Sequence, residues 1–147
     1  MIEIVTGDMQ RVDAEALVTP VYTDGVMSKG LRRAFPAMFD EYRAACQAGT
    51  VQIGKMHVWE ADTITGPRFI IGFPTKKSLR SIARIADIEA GLGDLVRVVR
   101  DRGIASLALP PLGTEGGDLL WQQVRPLIVD ALKTLNDVRV LLYEPSR

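Results

Sequence analysis

The chain has 147 residues, 47% of them apolar, and its 18 Lys plus Arg are matched by 18 Asp plus Glu. That length and composition suit a folded core and not a disordered segment, and zero net charge supplies no global field toward nucleic acid or anionic membrane, so a nucleic-acid partner has to be held locally. One cysteine, Cys46, and one histidine, His57, leave neither an internal disulfide nor a Cys/His metal site.

A reducing, cytoplasmic setting fits that cysteine usage. No apolar run approaches a signal core or a membrane span, so neither export nor a membrane is expected.

In chain order, Ile2 to Val5 and Ala16 to Val21 read as strands, apolar and rich in β-branched residues. A helix is expected from Leu31 to Ala48, closed by Gly49 in the left-handed position that ends helices. Strands follow at Met56 to Glu60 and Arg68 to Phe73. The next helix, Ile82 to Arg102 with Gly103 after it, carries Ile85, Ile88, Leu92, Leu95, Val96 and Val99 at spacings of three and four, one apolar stripe for a sheet. Ser106 to Leu109 is a strand, Leu120 to Leu135 a helix with Gly117 or Asp118 in the N-cap position, and Val138 to Tyr143 the last strand.

The order β-β-α-β-β-α-β-α-β implies an α/β protein, a three-layer α/β/α domain around a mixed six-stranded sheet. Ligands in such sheets bind beyond the carboxyl ends of the strands. That rule nominates Gly7-Asp8, Val21 to Gly30, Pro74 to Arg80 and Pro110 to Leu119.

Two of these segments are glycine-rich and run toward helices: Gly25 to Gly30, and Gly113-Thr114-Glu115-Gly116-Gly117. Free backbone N–H groups at such loops cradle phosphate, and a pair of them suggests a diphosphate grip in preference to plain turns. Glu115 works against it by adding a negative charge. Neither a G-x-G-x-x-G after the first strand nor a G-x-x-x-x-G-K-[ST] occurs, so Rossmann oxidoreductases and P-loop enzymes are poor candidates.

Taken together, VTGDMQ (5–10), GVMSKGL (25–31), FPTKK (73–77), IEAGLGDLVRVVRDRGI (88–104), SLALPPLG (106–113), GGDLLWQQVRPLI (116–128) and VLLYEP (140–145) resemble the macrodomain family. The likeness is to its DarG-like branch, whose members remove ADP-ribose from thymidine in DNA as antitoxins, and to the terminal ADP-ribose glycohydrolases beside it. It runs over nearly the whole chain, in order, and implies residues 1–147 as a single macrodomain.

The resemblance implies a role for particular residues. Asp8 matches the acid that accepts a hydrogen bond from the adenine amino group, and otherwise reads as a turn aspartate. Tyr143 matches an aromatic that packs on adenine, and otherwise reads as an edge-strand core residue. The implied ligand-binding set is Asp8, Met9, Thr19, Tyr22, Thr23, Gly25, Val26, Met27, Gly113, Thr114, Glu115, Gly116, Gly117 and Tyr143.

Lys76 matches the lysine required for glycosidic cleavage, with a surface pair Lys76-Lys77 as the bland reading. Partly desolvated at the crevice, it is expected to have a lowered pKa. It can then attack the anomeric carbon as an amine, or protonate the departing base as an ammonium. The aspartate that partners this lysine in the terminal glycohydrolases falls on Gly117, as in the DNA-directed antitoxins. Asp118, one residue on, is expected to be the helix cap.

Two departures lie in the opening of the first loop. Thr19 and Tyr22 stand where the branch carries asparagines, whose amides both donate and accept. Tyr22 can instead stack on the modified base or cover the ribose. Asp24, before Gly25, reads as a turn residue or as a partner of Lys76. Cys46 and His57 read as packing or surface residues, and Lys29, Arg32, Arg33 and Arg43 as a solvated helix face or a basic lip for a nucleic-acid backbone.

Three functions stay open on sequence. One is an ADP-ribosyl glycohydrolase acting on a nucleic-acid base; another is a reader that binds ADP-ribose without turnover; the last is a drifted macrodomain with another ligand. No metal and no cofactor is implied. The expected partners are ADP-ribose or ADP-ribosylated nucleic acid and a cognate ADP-ribosyltransferase toxin, and the expected state is a monomer.

Overall fold

The computed structural model describes residues 1–62 and 65–145, without the side chain of Gln10. Among these residues six strands form one sheet: β1 (Ile2–Val5), β2 (Ala16–Tyr22), β3 (His57–Glu60), β4 (Phe69–Lys76), β5 (Ser106–Leu109) and β6 (Arg139–Tyr143). They lie in the order β1-β6-β5-β2-β4-β3, all parallel except β3, which pairs antiparallel with β4 at the edge. The expected mixed sheet of six strands is borne out.

Among the described residues four helices cover it: α1 (Lys29–Ala34), α2 (Pro36–Gln47), α3 (Ile85–Arg102) and α4 (Trp121–Leu132). The strands are buried on both faces, so successive residues feed opposite cores. Val18, Phe73, Leu109 and Leu142 meet Ile88, Leu92, Val124 and Ile128 of α3 and α4. Leu17, Ile70, Ala108 and Leu141 meet Leu31 of α1 and Met38 and Tyr42 of α2. These two cores make the three layers.

The single helix expected from Leu31 to Ala48 is two. Phe35, at φ −134° and ψ 69°, precedes Pro36, which occupies the first turn of α2; the proline ring drives its predecessor out of the helical region. Gly103 closes α3 at φ 62°, as its position after the apolar stripe predicts.

Proline is tolerated in both central strands because of where their neighbours stop. β5 pairs with β2 only at Ala16 and Leu17, short of Pro20, and β3 reaches only as far as Gly72 along β4, short of Pro74. Each proline therefore lies past the reach of one neighbour, where a missing N–H removes little.

Topology fixes the crevice. The chain leaves β2 for α1 and α2 on one face, and leaves the adjacent β5 for α4 on the other. Connections diverging from neighbouring parallel strands open a cleft between them, here between the two glycine loops.

Candidate functional site

Strand β4 runs three residues beyond the expected end at Phe73, so Lys76 is its last residue and not part of a loop. Val21 pairs with Pro74 and Tyr22 with Lys76, which leaves Thr75 without a counterpart. Such an extra residue re-aims the side chains after it. Lys76, only 5% exposed, points its Nζ to within 2.8 Å of Asp118 Oδ2 and 5.2 Å of the Tyr22 ring centroid.

Asp118 is not the cap of α4. That helix starts at Trp121 after Leu120, whose N–H donates to Gln123 Oε1 at 3.2 Å. The Asp118 carboxylate turns inward, where Oδ2 accepts from Lys76 Nζ at 2.8 Å and from the Ala83 N–H at 2.9 Å. One carboxylate thus ties the second glycine loop to the end of β4 and to the connection before α3.

The pair sets the charge of the site. The hydrogen bond to Asp118 raises the Lys76 pKa, outweighing the burial that lowers it. Lys76 and then the Ala83 N–H hold Asp118 below the usual carboxylate range. This corrects the expected lowering of the lysine pKa: desolvation acts, but the partner is stronger. Lys76 stands as an ammonium, which removes the amine-nucleophile role. Burial pushes the Tyr22 hydroxyl up, and the Lys76 charge opposes that shift.

The first loop is fastened to the lysine strand. Thr23 N–H donates to Lys76 O at 3.2 Å and Asp24 N–H to Lys77 O at 3.0 Å. Asp24 is a turn residue: its Oδ1 accepts from Val26 N–H at 3.1 Å, and Gly25 follows at φ 101°, where a side chain would be strained. Beneath the turn lies Tyr42, fully buried on α2, its hydroxyl donating to the carbonyls of Tyr22 and Val26. Sequence reading missed Tyr42 because on an amphipathic helix it is indistinguishable from a packing residue. Met27 is buried beside it and Val26 is exposed. A cleft of about 490 Å3 opens along this loop, walled by Arg32, Phe39 and Arg43 of the helices.

In the second loop Gly113, Gly116 and Gly117 all take positive φ, between 66° and 81°. The Thr114 hydroxyl donates to Pro111 O at 2.7 Å, and Leu119 N–H closes the loop on Gly113 O at 3.1 Å. Glu115 folds inward, with Oε2 buried and unpartnered. Burial raises its pKa, while its own N–H, Lys76 and the Gly113 N–H pull it down.

After β1, Asp8 has an exposed carboxylate 3.5 Å from Arg11 Nε, and Met9 begins a short 3-10 turn packed on the α1/α2 core. Tyr143 is not on an edge strand: β6 runs between β1 and β5, and only 9% of the residue is exposed. It is chiefly a core residue. Thr19 is also withdrawn, 2% exposed inside β2 with its hydroxyl 3.4 Å from Pro20 O.

The end of β4 therefore brings Lys76 together with Tyr22, Asp118 and Glu115, with Thr23 bonded to its backbone, while Gly25 and Val26 line the cleft along the first loop and Thr19 is buried inside β2. Burial raises the Cys46 thiol pKa and lowers that of half-buried His57, which suits packing roles for both. Arg32 and Arg43 lie over the Phe39 ring at 5.4 and 5.7 Å. Among the described residues no His, Cys, Asp and Glu cluster could hold a metal, and no helix is long and apolar enough to cross a membrane.

With this geometry in hand, likeness to known proteins is informative. The Macro domain family matches residues 16–128. A curated relative from Mycobacterium tuberculosis (strain ATCC 25618 / H37Rv), named DNA ADP-ribosyl glycohydrolase, is 47% identical over 150 residues, covering 99% of this chain and 43% of the relative. The chain thus spans less than half the length of that relative. The solved macrodomain of Mycobacterium tuberculosis DarG superposes with a TM-score of 0.96 at 46% identity, covering 99% of both chains. Thermosipho africanus DarTG in complex with ADP-ribose superposes at 0.91 with 29% identity, over 99% of this chain and 42% of that one. On the family match, the identity and the fold, the chain belongs to the macrodomain family.

Proposed function

We propose that this chain is an ADP-ribosyl glycohydrolase that removes ADP-ribose from a modified nucleic-acid base, thymidine in DNA, with Lys76 at the reacting end. The observation that carries this is the Lys76–Asp118 pair, 2.8 Å apart where the end of β4 meets the second glycine loop. It is supported by near-complete coverage of this chain at 47% identity by relatives named for that activity. Tyr22 to Met27 and Gly113 to Gly117 hold the diphosphate, and Asp8 and Met9 border the adenine end.

The chemistry divides between the paired charges. The glycosidic C–N bond breaks with its electron pair going to the base, which takes a proton from the Lys76 ammonium. Positive charge gathering on the ribose is offset by the Asp118 carboxylate. Water then adds its hydroxyl to the anomeric carbon and its other proton restores Lys76. Base and ADP-ribose leave with no net proton taken from the protein.

A partner follows from the same relatives. A Thermosipho africanus relative, 29% identical, is named a DNA ADP-ribosyl transferase-DNA ADP-ribosyl glycohydrolase fusion protein. We read this chain as a monomeric, cytoplasmic macrodomain, residues 1–147, that reverses the product of such a transferase.

Tyr22 favours one other reading, an ADP-ribose reader without turnover, because its ring and not an amide faces the lysine. Incubating ADP-ribosylated single-stranded DNA with the parent and with Lys76→Ala, and measuring free ADP-ribose by chromatography, separates the two. Release by the parent alone is expected. No release by the parent, with tight ADP-ribose binding by calorimetry, would make the chain a reader; equal release by both would remove Lys76 from the mechanism.

A further inference from the structure

The connection from β4 to α3 is left unexplained by the crevice. Beside Lys76 it encloses a second cavity of about 490 Å3 whose wall carries Lys77, Arg80 and Arg84. Asp87 is the one acidic residue lining it, and Lys76 already has Asp118. Among the described residues, Lys77, Arg80 and Arg84 enter no ion pair. In a chain of zero net charge, three cations on eight consecutive residues, outside any ion pair and facing one acidic residue across the cavity, make a local positive field.

The same connection exposes two large apolar side chains, Leu79 and Ile82, each 71% open to solvent. It is nonetheless ordered by several bonds. Ser81 N–H donates to Ser78 O at 3.0 Å, the two hydroxyls lie 3.1 Å apart, and Ala83 N–H is held on Asp118 at 2.9 Å. A fixed segment presenting cations and apolar side chains together suits a chain of phosphates bearing unstacked bases.

Resting on the glycohydrolase reading above, we propose that Lys77, Arg80 and Arg84 bind the phosphodiester backbone of a single strand on one side of the modified nucleotide, with Leu79 and Ile82 against the neighbouring bases. A single strand is the form that fits, because a lysine only 5% exposed reaches only a base displaced from any stack. The three cations contact successive phosphates and the sequence of the strand is not read.

The test compares the parent with Lys77→Ala/Arg80→Ala/Arg84→Ala and with the charge-preserving Arg80→Lys/Arg84→Lys. Fluorescence anisotropy with an unmodified, labelled thymidine dodecamer, read from 50 to 200 mM salt, asks nothing of catalysis. Three lost phosphate contacts lower the single-strand salt slope by about 2, so the parent's affinity falls on the order of twentyfold more than the triple variant's across that range. The double lysine variant is expected to keep the parent's slope, which separates charge loss from misfolding.

A second arm measures ADP-ribose release from an ADP-ribosylated mononucleoside and from an ADP-ribosylated dodecamer. The triple variant is expected to keep the parent's turnover on the first and to raise KM at least tenfold on the second. Loss of release from both substrates in the parent would fail the glycohydrolase reading and leave the anisotropy result standing by itself. Equal salt slopes in parent and triple variant, or no strand binding by the parent at 50 mM salt, would overturn the proposal. So would a KM for the dodecamer that the triple substitution does not move.

Discussion

Lys76 and Asp118 are 42 residues apart in the chain and 2.8 Å apart in space, and the same Asp118 oxygen holds the Ala83 N–H. The lysine is thereby fixed as an ammonium at a stated point in the crevice, and two loops are joined through one carboxylate. That relationship governs both the chemistry and the pH range in which the site exists.

Asp118→Asn keeps the bond to Ala83 through its amide oxygen and removes the charge. Asp118 lies below its ordinary 3.8, so its contribution holds above that value and fades as pH falls through the folded pKa. Lys76 lies above its ordinary 10.5, so its contribution holds below that value and fades as pH rises through the folded pKa. The variant should lose about 2 kcal/mol of stability near neutrality, and progressively less as pH falls below 3.8 and through the folded pKa. Its basic limb of ADP-ribose release should also move to lower pH. Urea midpoints at several pH values check the first part; a loss independent of pH would show that the pair is not ionic.

Two glycines of α3 should respond in opposite directions to alanine. A Cβ on Gly91 would lie 2.3 Å from Phe73 Cζ, inside a fully buried contact, whereas one on Gly93 meets nothing within 4 Å. Gly93→Ala should stabilise by about 0.5–1 kcal/mol through backbone entropy alone. Gly91→Ala should destabilise by about 1–3 kcal/mol, since the ring has to move in a packed core. Thermal melts distinguish them by several degrees, and stabilisation by Gly91→Ala would mean that the Phe73 ring yields to a methyl group at no cost.

The strands and the two-core logic were legible because parallel strands buried on both faces read as β-branched apolar runs, and α3 as a stripe at helical spacing. Breaks that depend on backbone sterics at one residue were partly hidden: Pro36 splits the first helix, although a residue before proline is a known signal. Lys76 is nominated by likeness to macrodomains and not by its chemistry, because Pro74-Thr75-Lys76-Lys77 looks like a polar loop; that it ends a strand and pairs with Asp118 is not written in that stretch. Asp118 was misread as a cap because its partners, Lys76 and Ala83, are distant in sequence and no local pattern encodes that pairing. Tyr143 was misjudged for a topological reason: strand order, not strand content, decides which strand is at the edge.

Tyr42→Phe tests how the first loop is held. The hydroxyl donates to Tyr22 O and Val26 O from a fully buried ring, so its removal leaves acceptors under the turn with one partner fewer. A cost of about 1–2 kcal/mol is expected. Amide exchange should accelerate at Tyr22, whose N–H is bonded to Val26 O at 3.2 Å. Unchanged exchange at that amide, with the protein still folded, would mean that backbone bonds alone set the loop.

Glu115→Gln addresses the one carboxyl within the second glycine loop, Gly113 to Gly117. Burial raises the Glu115 pKa above its ordinary 4.5, and Lys76 and two backbone N–H groups only partly offset it. A raised carboxyl contributes fully below 4.5 and loses that contribution as pH rises through the folded value. The parent should therefore lose stability from this group on the alkaline side of 4.5, opposite in sign to Asp118. Glutamine preserves the neutral shape at every pH, so the variant should be more stable than the parent near neutrality and equal to it near pH 4. The same substitution removes the repulsion that an ionised Glu115 exerts on a diphosphate, so ADP-ribose affinity should become higher and less dependent on pH. Urea unfolding and calorimetry across pH 4 to 8 read both effects. A variant that tracks the parent at every pH would show that Glu115 ionises freely and that the loop tolerates its charge.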